Sequence, residues 1–424
     1  MTFRACVLLL CVTATASAEG VLVRPSLRSD GPARATLAEA EAAIAANDSS
    51  TARVKLLAAL SAEPNHVGAR VALAAIARES GLPTEARRLV DEALARLPPD
   101  AAALNLKGVL LLDDGKLDEA NAVFASAARA NMKDPVPVLN MGEVAARASD
   151  VPKAILHYRR ALEIDADNEI AHTRLASIHA ARGESDDAIQ HAEAALAKNA
   201  RSAQARSALG AGLSGKGDWE PAILALEEAR RGLPDDDDVR QRLGIALMGA
   251  GRYSAAADVF LEALDLDDSV ARSHLQLGIC YYMTRNVELR GYARKEFHHV
   301  AERKATPEDR ASSYYHLALL DDDEGKTDQA ESGYRLALRT NPDHVGAANN
   351  LGLILAGRGA FADAIPYYRR ALRLQPDFPA ARLNLGTALL KTGKAKDARA
   401  ELEPLLALPD GDPLRARAAK LLAP

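Results

Sequence analysis

The sequence predicts an all-α protein, a superhelical solenoid of about eleven stacked antiparallel helix pairs with a C-terminal closing helix. Two observations carry this. Asn350-Leu351-Gly352 recurs as Asn384-Leu385-Gly386 at a spacing of 34, and the same step runs back along the chain. Apolar residues make up 48 % of the 424 residues and aromatics only 4 %, so the core is expected to come from Ala and Leu on closely approaching helices.

The first element, Met1–Ala18, reads as a secretory signal: one charge (Arg4), an apolar run Ala5–Val12, and the small-residue exit Ala16-Ser17-Ala18. Leu8-Leu9-Leu10-Cys11 admits an alternative, a lipid-anchored outer-membrane lipoprotein acylated at Cys11. Such a site wants a small residue before the Cys, and Leu10 is not small, so simple cleavage after Ala18 and a periplasmic or secreted location are expected. Without that segment the chain carries 52 basic and 58 acidic side chains, which argues against a partner held by phosphate neutralisation. No later segment has the 18 or more apolar residues of a membrane-spanning helix. Cys6 and Cys11 fall in the signal, and Cys280 alone makes neither an intrachain disulfide nor a multi-Cys metal site. Residues 19–32 are expected to form a flexible lead-in.

Repeating units then begin at Ala33, Val67, Ala101, Pro135, Glu169, Ala203, Asp237, Ala271, Ala311, Val345 and Pro379, filling 33–411. Only the unit at 271–310 breaks step, with 40 residues. Position 8 of every unit is Gly or Ala, and position 20 is Ala throughout when Ala293 is accepted in the stretched unit. Position 27 is Ala in nine units, and Pro falls at position 32 in five (Pro64, Pro98, Pro234, Pro342, Pro376). Within Val345–Phe378, Leu351, Gly352 and Leu355 share one helical face, and Gly357 and Gly359 end that helix. A second helix follows with Ala364, Tyr368 and Ala371 on one face, and Pro376 stops it. Small residues at 8, 20 and 27 let neighbouring helices approach, and a pair that cannot bury its own apolar face must stack on the next. Residues 412–424 are expected to form the closing helix.

At these positions the sequence resembles the tetratricopeptide repeat (TPR) family, with a large residue at 4, Leu-Gly/Ala at 7–8, Ala at 20, an aromatic at 24, Ala at 27 and Pro at 32. It departs at Lys107 in position 7 and at charged residues in position 4 (Arg70, Arg206, Arg240, Arg382). The resemblance implies a superhelical array that binds protein segments in a concave groove. Exported bacterial members serve as assembly factors or structural subunits of envelope machines.

Catalytic motifs are weak. Gly210–Gly217 comes one residue short of a phosphate-binding loop, because Gly217 stands where Ser or Thr is needed and no strand precedes it. His298-His299 point about 100° apart on a helix and rarely share a metal. The acidic runs Asp235–Asp238 and Asp321–Glu324 lack the spaced ligands of a calcium loop. No enzyme activity, cofactor or metal is expected.

A helical wheel puts positions 2, 5, 6, 9 and 13 of each first helix opposite the packing face. Position 6 becomes long and polar in the C-terminal half: Arg242, Gln276, His316, Asn350, Asn384. Position 9 gives an apolar strip, Ile245, Ile279, Leu319 and Leu353, widened by Leu275, Tyr282 and Tyr315. The expected partner site is therefore Arg242, Gln276, His316, Asn350, Asn384, Leu275, Ile279, Tyr282, Tyr315 and Leu319, centred on the stretched repeat and its neighbour. The expected function is a protein–protein interaction scaffold or assembly subunit of a motility, pilus, secretion or polysaccharide-export machine, with cell-envelope proteins as partners. The alternative is a periplasmic chaperone for unfolded clients, which would bring many weak clients rather than a few stoichiometric partners.

Overall fold

The computed structural model describes residues 25–95, 99–267 and 270–423, so the expected signal segment, Cys11 and Pro98 lie outside the described residues. The described residues form 23 α-helices and no strand. The chain divides into two compact units, ending and beginning at Pro234 and Asp235.

The first unit contains six helix pairs: α1 (Arg34–Ala45), α2 (Ser49–Ala62), α3 (Val67–Glu79), α4 (Pro83–Leu94), α5 (Ala101–Asp113), α6 (Leu117–Ala130), α7 (Val136–Arg147), α8 (Val151–Ile164), α9 (Glu169–Ala181), α10 (Ser185–Lys198), α11 (Ala203–Lys216) and α12 (Trp219–Gly232). The second contains α13 (Asp237–Gly249), α14 (Tyr253–Leu266), α15 (Ala271–Met283), α16 (Arg290–Glu302), α17 (Pro307–Asp323), α18 (Thr327–Thr340), α19 (Val345–Gly357), α20 (Phe361–Leu374), α21 (Pro379–Lys391), α22 (Ala395–Leu402) and α23 (Pro413–Leu422).

The turn inside each pair repeats one backbone device. Position 15 has a positive φ in every repeat, reversing the chain after the first helix. Eight repeats place Gly there, as at Gly359 (φ 80°), where no Cβ penalty arises. Asn47, Ser149 and Arg285 hold the same conformation with a side chain. First helices are commonly capped from the residue before the repeat: Asp100, Asn168, Ser202 and Asp236 each accept the N–H three residues on.

The core corrects one expectation. Ala does line the contacts, but the largest fully buried side chains include six of the few aromatics: Phe124, Tyr158, Phe260, Phe297, Tyr334 and Tyr368. Each belongs to a second helix and fills the space left by a small position-8 residue. A Cβ added at Gly244 would lie 2.4 Å from Phe260 Cζ, and one at Gly142 would lie 2.5 Å from Tyr158 Cε1. Small and large residues thus interlock, which is how a core with few aromatics reaches native density.

The charged position-4 residues also find structural work. Arg70 donates to the Pro64 carbonyl at 2.5 Å and Arg382 to the Pro376 carbonyl at 2.9 Å, while Arg206 reaches the Ala200 carbonyl. Their guanidinium groups also pair with second-helix carboxylates, Glu92, Glu401 and Glu228. Each stem packs as an apolar rod while the head fastens the preceding turn.

The six extra residues of the stretched repeat are accommodated in two places. A 3-10 turn, Val287–Leu289, is inserted between α15 and α16, and α17 runs 17 residues, starting a turn early at a Thr306 cap.

Candidate partner-binding face

In the second unit the first helices α15, α17, α19 and α21 present the face that the wheel singles out. The structure does not bring all ten expected residues to its surface. Leu275 is 4 % exposed and packs with Ala293, Phe297, Val300, Leu317 and Leu320, so it is a core residue and not a groove residue. The cause is general. Position 5 is buried in ten of the eleven repeats, from Leu37 to Leu383. Successive first helices pack directly on one another there, as α15 does on α17 and α19 on α21.

Tyr315 is the exception at position 5, and it too serves the stacking. Its ring lies 4.7 Å from His344 and 5.8 Å from Tyr334, and it covers Gly346, whose added Cβ would stand 2.9 Å from Tyr315 Cζ. His316 is partly exposed, with its ring stacked 5.1 Å from buried Phe297 and its Nδ1 2.7 Å from the Ser312 carbonyl. Burial pushes His316 and His344 down to about 4, so both are neutral at neutral pH. Tyr282 meets the His316 edge at 6.4 Å, and burial together with Asp323 pushes its hydroxyl up to about 12.

The polar row is internally bonded. Asn384 Nδ2 donates to Asn349 Oδ1 at 3.2 Å, Asn349 Nδ2 to Asn350 Oδ1 at 3.1 Å, and Asn350 Nδ2 to the Tyr334 hydroxyl at 3.3 Å. Asn349, at position 5 and buried, is the linking member that the wheel reading passed over. In the first unit Asn140 Nδ2 likewise donates to Asn105 Oδ1 at 2.9 Å. Arg242 pairs with Asp238 one turn back at 3.2 Å. Gln276, Ile279 and Leu319 are partly exposed, and Leu353 is 45 % exposed. What reaches solvent is therefore a shallow row of amides beside an apolar strip, suited to backbone hydrogen bonding and side-chain burial at once.

The motifs set aside on sequence grounds have plain structural places. Gly210 lies inside α11 against Leu226, and Gly217 is the left-handed helix end (φ 86°). Asp236 caps α13, while Asp321 and Glu324 both hold Arg294. Cys280 is buried, and desolvation pushes its thiol up to about 12. His298 is exposed, whereas His299 stacks 3.7 Å from His274. An open cleft of about 530 Å³ is lined by Arg335 of α18, Leu355 of α19 and Tyr367 and Arg370 of α20, and Arg335 is already held by Glu331. A second histidine group, His172, His179 and His191 on α9 and α10, was not anticipated. No helix among the described residues is long and apolar enough to cross a membrane.

Among solved structures the chain is similar to PilF of Pseudomonas aeruginosa (19 % identity, covering 51 % of this chain and 96 % of that one, TM-score 0.45). It is also similar to yeast Tom70 (13 % identity, 92 % and 94 %, TM-score 0.48) and to PilW, titled a widely conserved type IV pilus biogenesis factor (14 %, 51 % and 98 %, TM-score 0.43). At these values none of them speaks to this chain's partners. A search of curated proteins returned no match. Tetratricopeptide-repeat profiles match residues 37–101, 77–135, 212–271, 242–289, 315–379 and 355–423. Those segments span more than half of the sequence, and with a described structure of antiparallel helix pairs throughout, the chain belongs to the tetratricopeptide repeat family.

Proposed function

We propose that this protein is an exported scaffold or assembly subunit of a cell-envelope machine, such as a motility, pilus, secretion or polysaccharide-export apparatus. It binds segments of partner proteins on the first-helix face of the second unit. The observation that supports this most is the juxtaposition, over consecutive repeats, of partly exposed Gln276, His316, Asn350 and Asn384 with Ile279, Leu319 and exposed Leu353. An extended segment can satisfy its backbone on the first row and bury side chains on the second. The export reading rests on Met1–Ala18. Binding, rather than catalysis, fits a chain whose candidate catalytic motifs are absorbed into helix ends and packing.

The test is a photo-crosslinking residue at position 353 in intact cells, followed by identification of the attached proteins. A few stoichiometric envelope proteins are expected. Many weak, sub-stoichiometric clients would favour the chaperone reading, and crosslinks equal to those from a residue on the opposite helices would overturn the site. The mature mass, expected to begin at Glu19, checks export without an acylated Cys11.

A further inference from the structure

One repeat of the first unit departs from its neighbours. Position 24 carries Leu56, Val90, Phe124, Tyr158 or Leu226 in the other five, and Ala192 in this one. Its small position-8 residue, Ala176, is fully buried with Ala192 and Ala208, and Leu209 packs against the three. Three imidazoles gather beside them, between α9 and α10. His172 Nε2 meets the Ala166 carbonyl at 3.1 Å and must carry the proton there, so its bare Nδ1 takes the His191 Nδ1–H across 2.9 Å. The His191 ring lies nearly parallel to that of His179, centroids 5.5 Å apart.

His179 is 3 % exposed. Its Nδ1 edge meets Glu184 Oε2 at 2.5 Å, and its Nε2 is enclosed without a hydrogen-bond partner. Glu184 stands in the turn after Gly183, and Asp187 stands in the first turn of α10. The candidate ligand atoms of His179, Glu184 and Asp187 all lie within 4.8 Å of one another. The edge turned toward the two carboxylates is Nδ1, which places it as the nitrogen ligand, while Nε2 stays enclosed on the other edge of the ring.

We propose that His179, Glu184 and Asp187 bind a first-row divalent ion of the Zn²⁺ class, which ties the end of α9 to the start of α10 in the repeat that lacks a large position-24 side chain. One imidazole and two carboxylates make a mixed nitrogen–oxygen set, which suits such ions better than Ca²⁺ or Mg²⁺ with their preference for oxygen alone. Three protein ligands leave a position for water. Ligand atoms around such an ion stand closer together than 4.8 Å, and exposed Asp187 can swing inward without disturbing the core. One basic side chain bears on the charge. Arg182 pairs with Glu184 Oε1 at 2.8 Å, but it is about half exposed and a surface pair of this kind yields readily. The positive end of α10 opposes a cation, and the two carboxylates offset it.

The experiment uses the untagged full chain, stripped with a chelator and titrated with Zn²⁺ and Co²⁺, with Ca²⁺ and Mg²⁺ in parallel. One equivalent of Zn²⁺ should bind and raise the melting temperature, and Co²⁺ should develop visible d–d absorption. Glu184→Gln/Asp187→Asn should melt like the parent in chelator yet lose at least about tenfold in Zn²⁺ affinity, the scale of losing a ligand's support. Asp187→Asn alone, a surface change that leaves folding intact, should also weaken binding. Absence of saturable binding by the parent, affinity unchanged in either variant, or preference for Ca²⁺ or Mg²⁺ would overturn the proposal.

Discussion

Replacing Gly352 and Gly357 by Leu tests the interlocking core within one helix, α19. A Cβ at Gly352 would fall 2.7 Å from Tyr368 Cε1 and 2.9 Å from Cδ1, and Tyr368 is 1 % exposed, so the ring has no room to retreat. At Gly357 nothing lies within 4 Å of the same atom. Helix propensity favours Leu over Gly by somewhat under about 1 kcal/mol at an interior position, and by less at a helix end. Overpacking costs about 1–3 kcal/mol and occasionally more, and here the clash begins at the first added carbon. Gly352→Leu should therefore lose about 2 kcal/mol or more net, while Gly357→Leu should be neutral or gain a few tenths. Urea denaturation gives the totals. Hydrogen exchange should show the Gly352→Leu loss in α19, α20 and the adjoining repeats only, because each repeat supports its neighbours directly. Tyr368→Ala is costly by itself, by about 3–5 kcal/mol, but combined with Gly352→Leu the loss should come to less than the sum of the two because the added side chain refills the space. A Gly352→Leu chain as stable as the parent, or a Gly357→Leu chain equally damaged, would refute the packing register.

Other expectations follow the same geometry. Asn140→Ala removes the donor that reaches buried Asn105 across 2.9 Å and should cost about 1–3 kcal/mol, whereas Asn105→Leu/Asn140→Leu should cost much less, as chemical denaturation would report. Arg285→Gly should stabilise by about 1 kcal/mol, since Arg285 holds φ +58° with a side chain where eight repeats use Gly; an unchanged melting temperature would argue against strain there. Cys280, buried and pushed up to about 12, should resist iodoacetamide in the native chain and react only on denaturation, as read by mass. Because His191, His316 and His344 are held near 4, below the usual 6.5, the unfolded chain binds more protons between those pH values. Stability should fall as pH drops from about 6.5 to 4, and His316→Asn should flatten that slope in a melting series.

The repeat architecture was legible in the sequence because every repeat solves the same local problem. Gly at position 8 against a bulky position 24, Ala at 20 and 27, and a left-handed residue closing each first helix recur at constant spacing, and constant spacing survives without coordinates. The stretched unit was visible as a count, though only the structure shows its residues divided between a 3-10 turn and an early start of α17. Exposure along the first helices was only partly legible. The position-6 residues Gln276, His316, Asn350 and Asn384 are partly exposed. Leu275 is buried and partly exposed Tyr315 packs on His344, because a wheel drawn on one helix is blind to the next first helix packing along position 5. The histidine group depends on the same missing dimension. His179, Glu184 and Asp187 come from a helix end, a turn and another helix start, and only the antiparallel closure of α9 on α10 converts that separation into nearness. Ala192 at position 24, where the other five repeats of the first unit carry a larger side chain, marks the same repeat in the sequence.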